Sequence, residues 1–148
     1  MKQWYVLLLF CLHLFFLLLP TGLYAESRCN RCGNGLAKAV YTSIAIDYLI
    51  IKCPNYNHAM TRSSLDVILQ NDFNSSTYDI ITFAKNKLNK DLTTEAQKSV
   101  DKFYNLSGGC FSPLMDDYFH HLSKFSNDGI KLINQNCDSV CINQTKSF

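Results

Sequence analysis

The sequence predicts an all-α protein, a compact bundle of five to six short helices held by three disulfides. Apolar residues recur at helical spacing along most of the chain beyond residue 35, and no segment has a convincing strand pattern. Only 6 Gly and 3 Pro argue against a turn-dense β-sandwich. An even number of cysteines beyond the N-terminal segment agrees with a helical domain stapled by disulfides.

Composition limits both size and function. The chain has 148 residues, 47% of them hydrophobic and 18% charged, which is enough apolar mass for one folded core. The formal net charge of +2 is too small for a nucleic-acid binder steered by bulk charge. No nucleic acid is therefore expected among the partners.

Residues 1–25 are predicted to be a signal peptide. Lys2 supplies a positive charge, residues 4–19 form an apolar run, and Ala25 offers a small residue at a cleavage position. The run is shorter than the roughly 20 residues that span a bilayer, which favours cleavage after Ala25 over an uncleaved anchor. Residues 26–148 would then be a single domain, secreted to the extracellular space or held in the lumen of the secretory pathway.

Six cysteines remain in the mature chain, because Cys11 lies in the signal peptide. They are Cys29, Cys32, Cys53, Cys110, Cys137 and Cys141. An oxidising route makes three disulfides the default, and six cysteines allow 15 pairings. Joining the two ends of the chain would close a loop of about 110 residues and stabilise the fold by roughly 4–5 kcal/mol. Zinc is the competing interpretation of the two close cysteine pairs. Oxidation of the thiols disfavours it, so no metal is expected.

The first predicted helix covers residues 36–52 and is apolar on nearly all faces. Such a helix is either buried in a core or faces lipid. It ends at Cys53, because Pro54 disfavours helical geometry in the residue before it. The next two helices begin at Ser63 and Ser76, each a predicted N-cap with an aspartate three residues on.

Three further helices are predicted in the C-terminal half. Thr93 caps the fourth, which the Gly108-Gly109 pair ends. Pro113 is the first residue of the fifth, an amphipathic helix that the Asn-Asp-Gly at residues 127–129 breaks. The last runs from Ile130 to about residue 140 and places the final two cysteines on one face.

The sequence contains no catalytic constellation. His120 and His121 are adjacent and project about 100° apart on a helix, so they cannot clamp one metal from one face. Asp116 lies one turn before His120, but no third ligand occurs at helical spacing. No phosphate-binding, dinucleotide-binding, serine-hydrolase or zinc-protease motif is present. We therefore predict a non-enzymatic protein without a cofactor.

Three N-x-S/T sequons mark candidate glycosylation sites at Asn74, Asn105 and Asn143. In a eukaryotic secreted protein, these asparagines would be exposed acceptors.

The cysteine bracket resembles that of the saposin-like family, which includes saposins and amoebapores. Cys29-Asn30-Arg31-Cys32 runs straight into an apolar helix, and Cys110 is followed by an amphipathic helix and then by the final pair. The resemblance implies a small helical leaf that binds lipid, often as a homodimer. It also implies the pairs Cys29–Cys141, Cys32–Cys137 and Cys53–Cys110. The long segment 54–109 between the third and fourth cysteines departs from the family pattern, in which these two cysteines lie close together.

Two functions are expected from this pattern. The first is a secreted protein that interacts with lipid or membrane surfaces through the first helix. The candidate lipid-facing residues are Leu36, Val40, Ile44, Tyr48 and Ile51. The alternative is a secreted helical effector or inhibitor that buries these stripes internally and binds a protein partner.

Overall fold

The computed structural model describes residues 21–57 and 60–146, with side chains for 28–57 and 60–144. This part of the chain forms six α-helices: α1 (Thr21–Lys52), α2 (Arg62–Phe73), α3 (Thr77–Lys87), α4 (Leu92–Ser107), α5 (Pro113–Asn136) and α6 (Ser139–Lys146). No strand occurs among these residues, and the predicted all-α class is confirmed. The apolar run of the predicted signal peptide lies outside the described residues.

The first helix is longer than predicted. It begins at Thr21 rather than at residue 36, and the predicted cleavage position after Ala25 falls within its first turns. Gly33 and Gly35 lower helix propensity, yet both lie inside the helix. Tertiary packing overrides propensity in this segment, because two disulfides and the neighbouring helix α5 hold it.

The predicted break at residues 127–129 is also wrong. Helix α5 continues from Pro113 to Asn136, with Gly129 buried in its interior. Cys137 then has an extended backbone and ends the helix, and α6 follows as a separate element. The predicted last helix over residues 130–140 is therefore divided between α5 and α6. Contact with α1 compensates for the low helix propensity of Gly129, a long-range effect that local sequence does not reveal.

Two predicted helix starts are confirmed in detail. Ser76 Oγ accepts a hydrogen bond from Asp79 N at 3.2 Å, and the Asp79 carboxylate accepts one from Ser76 N at 2.9 Å. This reciprocal capping box begins α3. Ser112 Oγ accepts from Met115 N at 3.2 Å, with Pro113 as the first residue of α5.

Two other helices begin two residues earlier than predicted. Thr61, not Ser63, is the N-cap of α2, and Asp91, not Thr93, is the N-cap of α4. In each case two residues with capping side chains lie close together, and propensity alone does not distinguish them. The predicted end of α4 is confirmed, since Gly108 adopts a left-handed conformation with φ 73°.

Helix α1 is the centre of the bundle. It contacts all five other helices, most extensively α5 and next α4. Its buried side chains form the largest part of the core, joined by residues of α2 to α6. The fully buried large side chains are Leu36, Ile46, Leu49, Leu65, Leu69, Met115, Ile133, Ile142, Val40 and Val100. No helix of the described segments is both long and apolar enough to cross a bilayer.

Three nested disulfides close the bundle. They join Cys29 to Cys141, Cys32 to Cys137 and Cys53 to Cys110, over sequence separations of 112, 105 and 57 residues. This is the pairing that the saposin-like resemblance implies. The first two bonds fix both ends of the described chain to each other, and the third fixes the end of α1 to the segment before α5.

Candidate functional site

The residues predicted to face lipid do not lie on one surface. Leu36, Val40 and Ile44 are at most 5% exposed and belong to the core. Tyr48 is half-buried and its hydroxyl donates to Asp101 Oδ1 at 3.3 Å. Ile51 is 77% exposed, one turn before the proline-containing connection. Among the five, Ile51 alone presents a large apolar side chain to solvent.

Ile51 shares its end of the domain with three other exposed apolar residues. Leu106 is 64% exposed in the last turn of α4, Phe111 is 91% exposed beside Cys110, and Leu114 is 42% exposed in the first turn of α5. The Cys53–Cys110 disulfide joins the segments that carry them, with a Cα–Cα distance of 5.4 Å. We call Ile51, Leu106, Phe111 and Leu114 the apolar tip.

Tyr56 forms hydrogen bonds next to the apolar tip. The Tyr56 hydroxyl donates to Asp116 Oδ1 at 2.5 Å and lies 3.0 Å from the carbonyl oxygen of Cys110. Its ring packs against Phe119, with centroids 4.7 Å apart. Burial and the Asp116 carboxylate together raise the pKa of Tyr56 to about 12. The Tyr56 hydroxyl therefore keeps its proton at neutral pH. It lies between the loop after α4 and the first turn of α5.

A glycine pair shapes the loop that carries Phe111. Gly108 and Gly109 have φ values of 73° and 125°, which other residues rarely adopt. Ser107 Oγ donates to Tyr104 O at 3.0 Å and accepts from Gly109 N at 3.3 Å. These bonds and the adjacent Cys53–Cys110 disulfide order the backbone just before Phe111, whose side chain is 91% exposed.

An ion pair lies close to the apolar tip. Lys52 Nζ lies 2.7 Å from Asp101 Oδ1 and 5.0 Å from the ring centroid of Tyr104. The hydrogen bond with Asp101 raises the pKa of Lys52, and the same bond lowers the pKa of Asp101. This pair contributes little net charge to the surface around the tip.

Acidic and histidine side chains lie along the exposed face of α5. Asp117, His120 and His121 are exposed, and Asp116 is exposed but bonded to Tyr56. The structure does not bring these side chains into a metal-binding cluster. Within the described segments, no group of three or more His, Cys, Asp or Glu side chains could hold a metal ion. Asp117 is one turn after Leu114, so its carboxylate lies close to the apolar tip.

The three sequon asparagines are all exposed. Asn74 ends α2 in a left-handed conformation with φ 49°, and its Oδ1 accepts from Gln70 Nε2 at 2.8 Å. Asn105 lies in α4 immediately before Leu106 of the apolar tip, and Asn143 lies in α6.

A polar cleft of about 550 Å³ lies between α1 and α2 and reaches the start of α3. Asp47 Oδ1 accepts from the backbone N–H of Arg62 at 3.2 Å, and burial raises the pKa of this carboxyl. Asp66, on the same wall, accepts from Thr77 N at 2.6 Å. Asp47 thus joins α1 to α2, and Asp66 joins α2 to α3. Both carboxylates that line the cleft therefore have a structural role.

Helical periodicity does not indicate most of the apolar tip. Leu106 and Phe111 lie at a helix end and in a loop, outside the helical stripe that predicts the lipid-facing surface. A usable signal was present, because Phe111 follows Gly-Gly-Cys, a context in which the backbone turns sharply and is held by a disulfide.

Comparison of the chain with protein-family models, with curated proteins and with solved structures gives no match. The fold and the disulfides themselves define its class. It is a small all-α domain with three intramolecular disulfides, of a kind that persists in oxidising compartments.

Proposed function

We propose that this protein is a secreted, non-enzymatic lipid-interacting protein that docks on membrane surfaces through its apolar tip. The observation that carries the proposal is Phe111, a phenylalanine 91% exposed at the end of a disulfide-anchored loop. Three exposed aliphatic side chains share its end of the domain, and a group of exposed apolar side chains marks an interaction surface. The nested disulfides and helical fold are also compatible with a saposin-like relationship.

Docking would insert the apolar tip without unfolding the bundle. Complete removal of Phe111 and Ile51 from water would contribute about 3–6 kcal/mol, because each large apolar side chain contributes about 1.5–3 kcal/mol. The Cys53–Cys110 bond and the hydrogen bond of Tyr56 already order the segments that carry the tip. Little conformational entropy would therefore be lost on binding.

The proposal assigns lipid contact to the tip and not to the predicted face of α1. Leu36, Val40 and Ile44 contribute to the core of the closed domain, so lipid could reach them only if the bundle opened. Among the predicted lipid-facing residues, Ile51 remains in the proposed contact. The protein would then lie peripherally on the bilayer surface.

Vesicle flotation tests this proposal directly. Glycan-free protein is mixed with phosphatidylcholine–phosphatidylserine vesicles, and the bound fraction is compared for wild type, Phe111→Ser and Val140→Ser. Val140 is 64% exposed next to Cys141, at the other end of the domain from the apolar tip, and it serves as the matched control. We expect Phe111→Ser to weaken binding about tenfold and the control to leave it unchanged. Equal binding by all three proteins, or no binding by wild type, would reject docking through the tip.

A protein partner is the second candidate, because the same exposed phenylalanine could anchor a protein interface. Cross-linking of the secreted protein to its target surface would distinguish the two functions. Capture of one protein by wild type, lost in Phe111→Ser and accompanied by no vesicle binding, would favour the effector interpretation.

We also infer glycans at the exposed sequons, of which Asn105 is the one that adjoins the tip. Peptide mass spectrometry of the secreted protein would measure their occupancy.

A further inference from the structure

A second cleft, of about 430 Å³, lies at the opposite end of the domain from the apolar tip. It is formed by the N-terminal half of α1, the end of α3, the start of α4 and α6. The apolar part of its wall includes Ala84 and Leu92, which are buried, and Leu88, which is 48% exposed. Its volume falls within the range of pockets that bind small molecules, about 300–1,000 Å³.

The described polar part of the same wall carries a positive charge. Lys90 supplies it, and the side-chain amides of Asn30, Asn34 and Gln144 accompany it. Among the side chains that the structure describes, no carboxylate lines the cleft. The Asp91 carboxylate, next to Lys90 in the chain, does not line the cleft, and its Oδ1 caps α4 by accepting from Thr94 N at 3.0 Å. The charge on the described wall itself is therefore positive, which favours an anionic ligand.

The loop that contributes Leu88 and Lys90 has a defined backbone. Both residues donate their backbone N–H to Ala84 O, at 3.1 and 3.0 Å. Asn89 between them is left-handed, with φ 51°, as is common where a helix ends. This turn places an apolar side chain and a cation on the same wall without a further conformational change.

We propose that this cleft binds a single-chain amphiphile with an anionic headgroup, namely a fatty acid. The acyl chain lies against Leu88, Ala84 and Leu92, and the carboxylate meets Lys90 and the amides of the rim. The polar cleft beside Asp47 and Asp66 is unsuited to this ligand, because two carboxylates line it. A neutral chain fits the apolar wall but lacks the interaction with Lys90.

This site is independent of the proposed membrane docking. Cys29 borders the cleft and Cys53 lies at the apolar tip, so about 36 Å of helix α1 separates the two ends. Failure of vesicle binding would leave the cleft proposal intact, and failure of fatty-acid binding would leave the tip proposal intact.

Isothermal titration calorimetry with laurate, kept below its micelle concentration, tests the proposal. Wild type is compared with Lys90→Gln, Leu88→Ser and the control Lys98→Gln, and 1-dodecanol serves as the neutral ligand. Lys98 is an exposed lysine of α4 that does not line the cleft. All three substitutions are at exposed positions, so the variants should fold.

We expect Lys90→Gln to weaken laurate binding about fivefold and to leave dodecanol binding unchanged, because an exposed charge pair contributes up to about 1 kcal/mol. Leu88→Ser should weaken the binding of both laurate and dodecanol. Lys98→Gln should leave the binding of both ligands unchanged. The proposal is wrong if wild type binds no laurate. It is equally wrong if Lys98→Gln loses as much laurate affinity as Lys90→Gln, since the charge effect would then be nonspecific.

Discussion

Gly35 and Gly129 face each other where α1 crosses α5. A Cβ added to Gly129 would lie 3.1 Å from Gly35 O and 2.9 Å from Ala39 N. A Cβ added to Gly35 would lie 3.1 Å from Gly129 O and 2.8 Å from the Leu132 Cβ. The absence of both side chains lets the two longest helices approach closely, and their contact is the most extensive in the bundle.

Gly129→Ala should therefore destabilise the protein by about 1–3 kcal/mol, the usual cost of overpacking a core. Gly33→Ala is the matched control, because nothing lies within 4 Å of an added Cβ there. Gly33→Ala removes a glycine from a helix interior and should therefore stabilise the protein by about 0.5–1 kcal/mol. Urea unfolding followed by circular dichroism measures both. Equal changes in the two variants would show that the crossing is not sterically tight.

This crossing shows how far the sequence could predict the fold. Helical periodicity sufficed for the all-α class and for the starts of α3 and α5, since their signals lie within one turn. The long forms of α1 and α5 could not be predicted from local signals. Gly33, Gly35 and Gly129 disfavour a helix locally, and contacts between residues far apart in the chain reverse that preference.

Stability should fall as the pH rises from 10 towards 12, because two tyrosines are held in their neutral form. Burial is the main factor that raises the pKa of Tyr56 and of Tyr118 to about 12 from the ordinary value of 10.0. Between these values the folded state binds more protons than the unfolded state, so the free energy of unfolding decreases with pH. Their contribution is fully present below pH 10 and lost above the folded-state pKa.

Urea unfolding at a series of alkaline pH values checks this. Tyr56→Phe and Tyr118→Phe should each make the decline shallower, with Tyr78→Phe, an exposed tyrosine, as the control. Tyr56→Phe should also cost about 1–2 kcal/mol at neutral pH, because it leaves Asp116 without its donor. An unchanged slope in both variants would argue against these tyrosines as the titrating groups.

The three disulfides should differ in their contribution to stability. Removing the Cys53–Cys110 bond by alanine substitution should cost about 4 kcal/mol, since it closes a 57-residue separation. Removing Cys29–Cys141 should cost less, about 2–3 kcal/mol, because the nested Cys32–Cys137 bond still holds nearly the same loop closed. Thermal unfolding of the two double variants compares them, and the reverse order would contradict the chain-entropy argument.

The candidate site was less predictable than the fold. The hydrophobic pattern of α1 favours Leu36, Val40 and Ile44 as lipid-facing residues, but a helix that is apolar all round suits a core as well as a lipid surface. Which of the two applies depends on the packing of other helices, and the structure places these residues inside. Exposure of Phe111 depends on a loop conformation and a disulfide partner distant in sequence, neither of which has a periodic signal.

Asp117→Asn should increase binding to anionic vesicles by about fivefold at neutral pH, because each unit of charge near such a surface contributes about 1 kcal/mol. Asp117 is exposed on α5, one turn after Leu114 of the apolar tip. A carboxylate at this position is repelled by anionic lipid when the tip docks, whereas the amide of asparagine is not.

Flotation with phosphatidylserine-containing vesicles at neutral pH measures this contribution. Asp128→Asn is the matched control, because Asp128 is exposed on the same helix about 16 Å further along it, and it should leave binding unchanged. Vesicles of phosphatidylcholine alone should bind wild type and Asp117→Asn equally, since they lack the anionic charge. Equal gains from Asp117→Asn and Asp128→Asn would instead indicate that the net charge of the protein governs binding, and not the position of the charge beside the apolar tip.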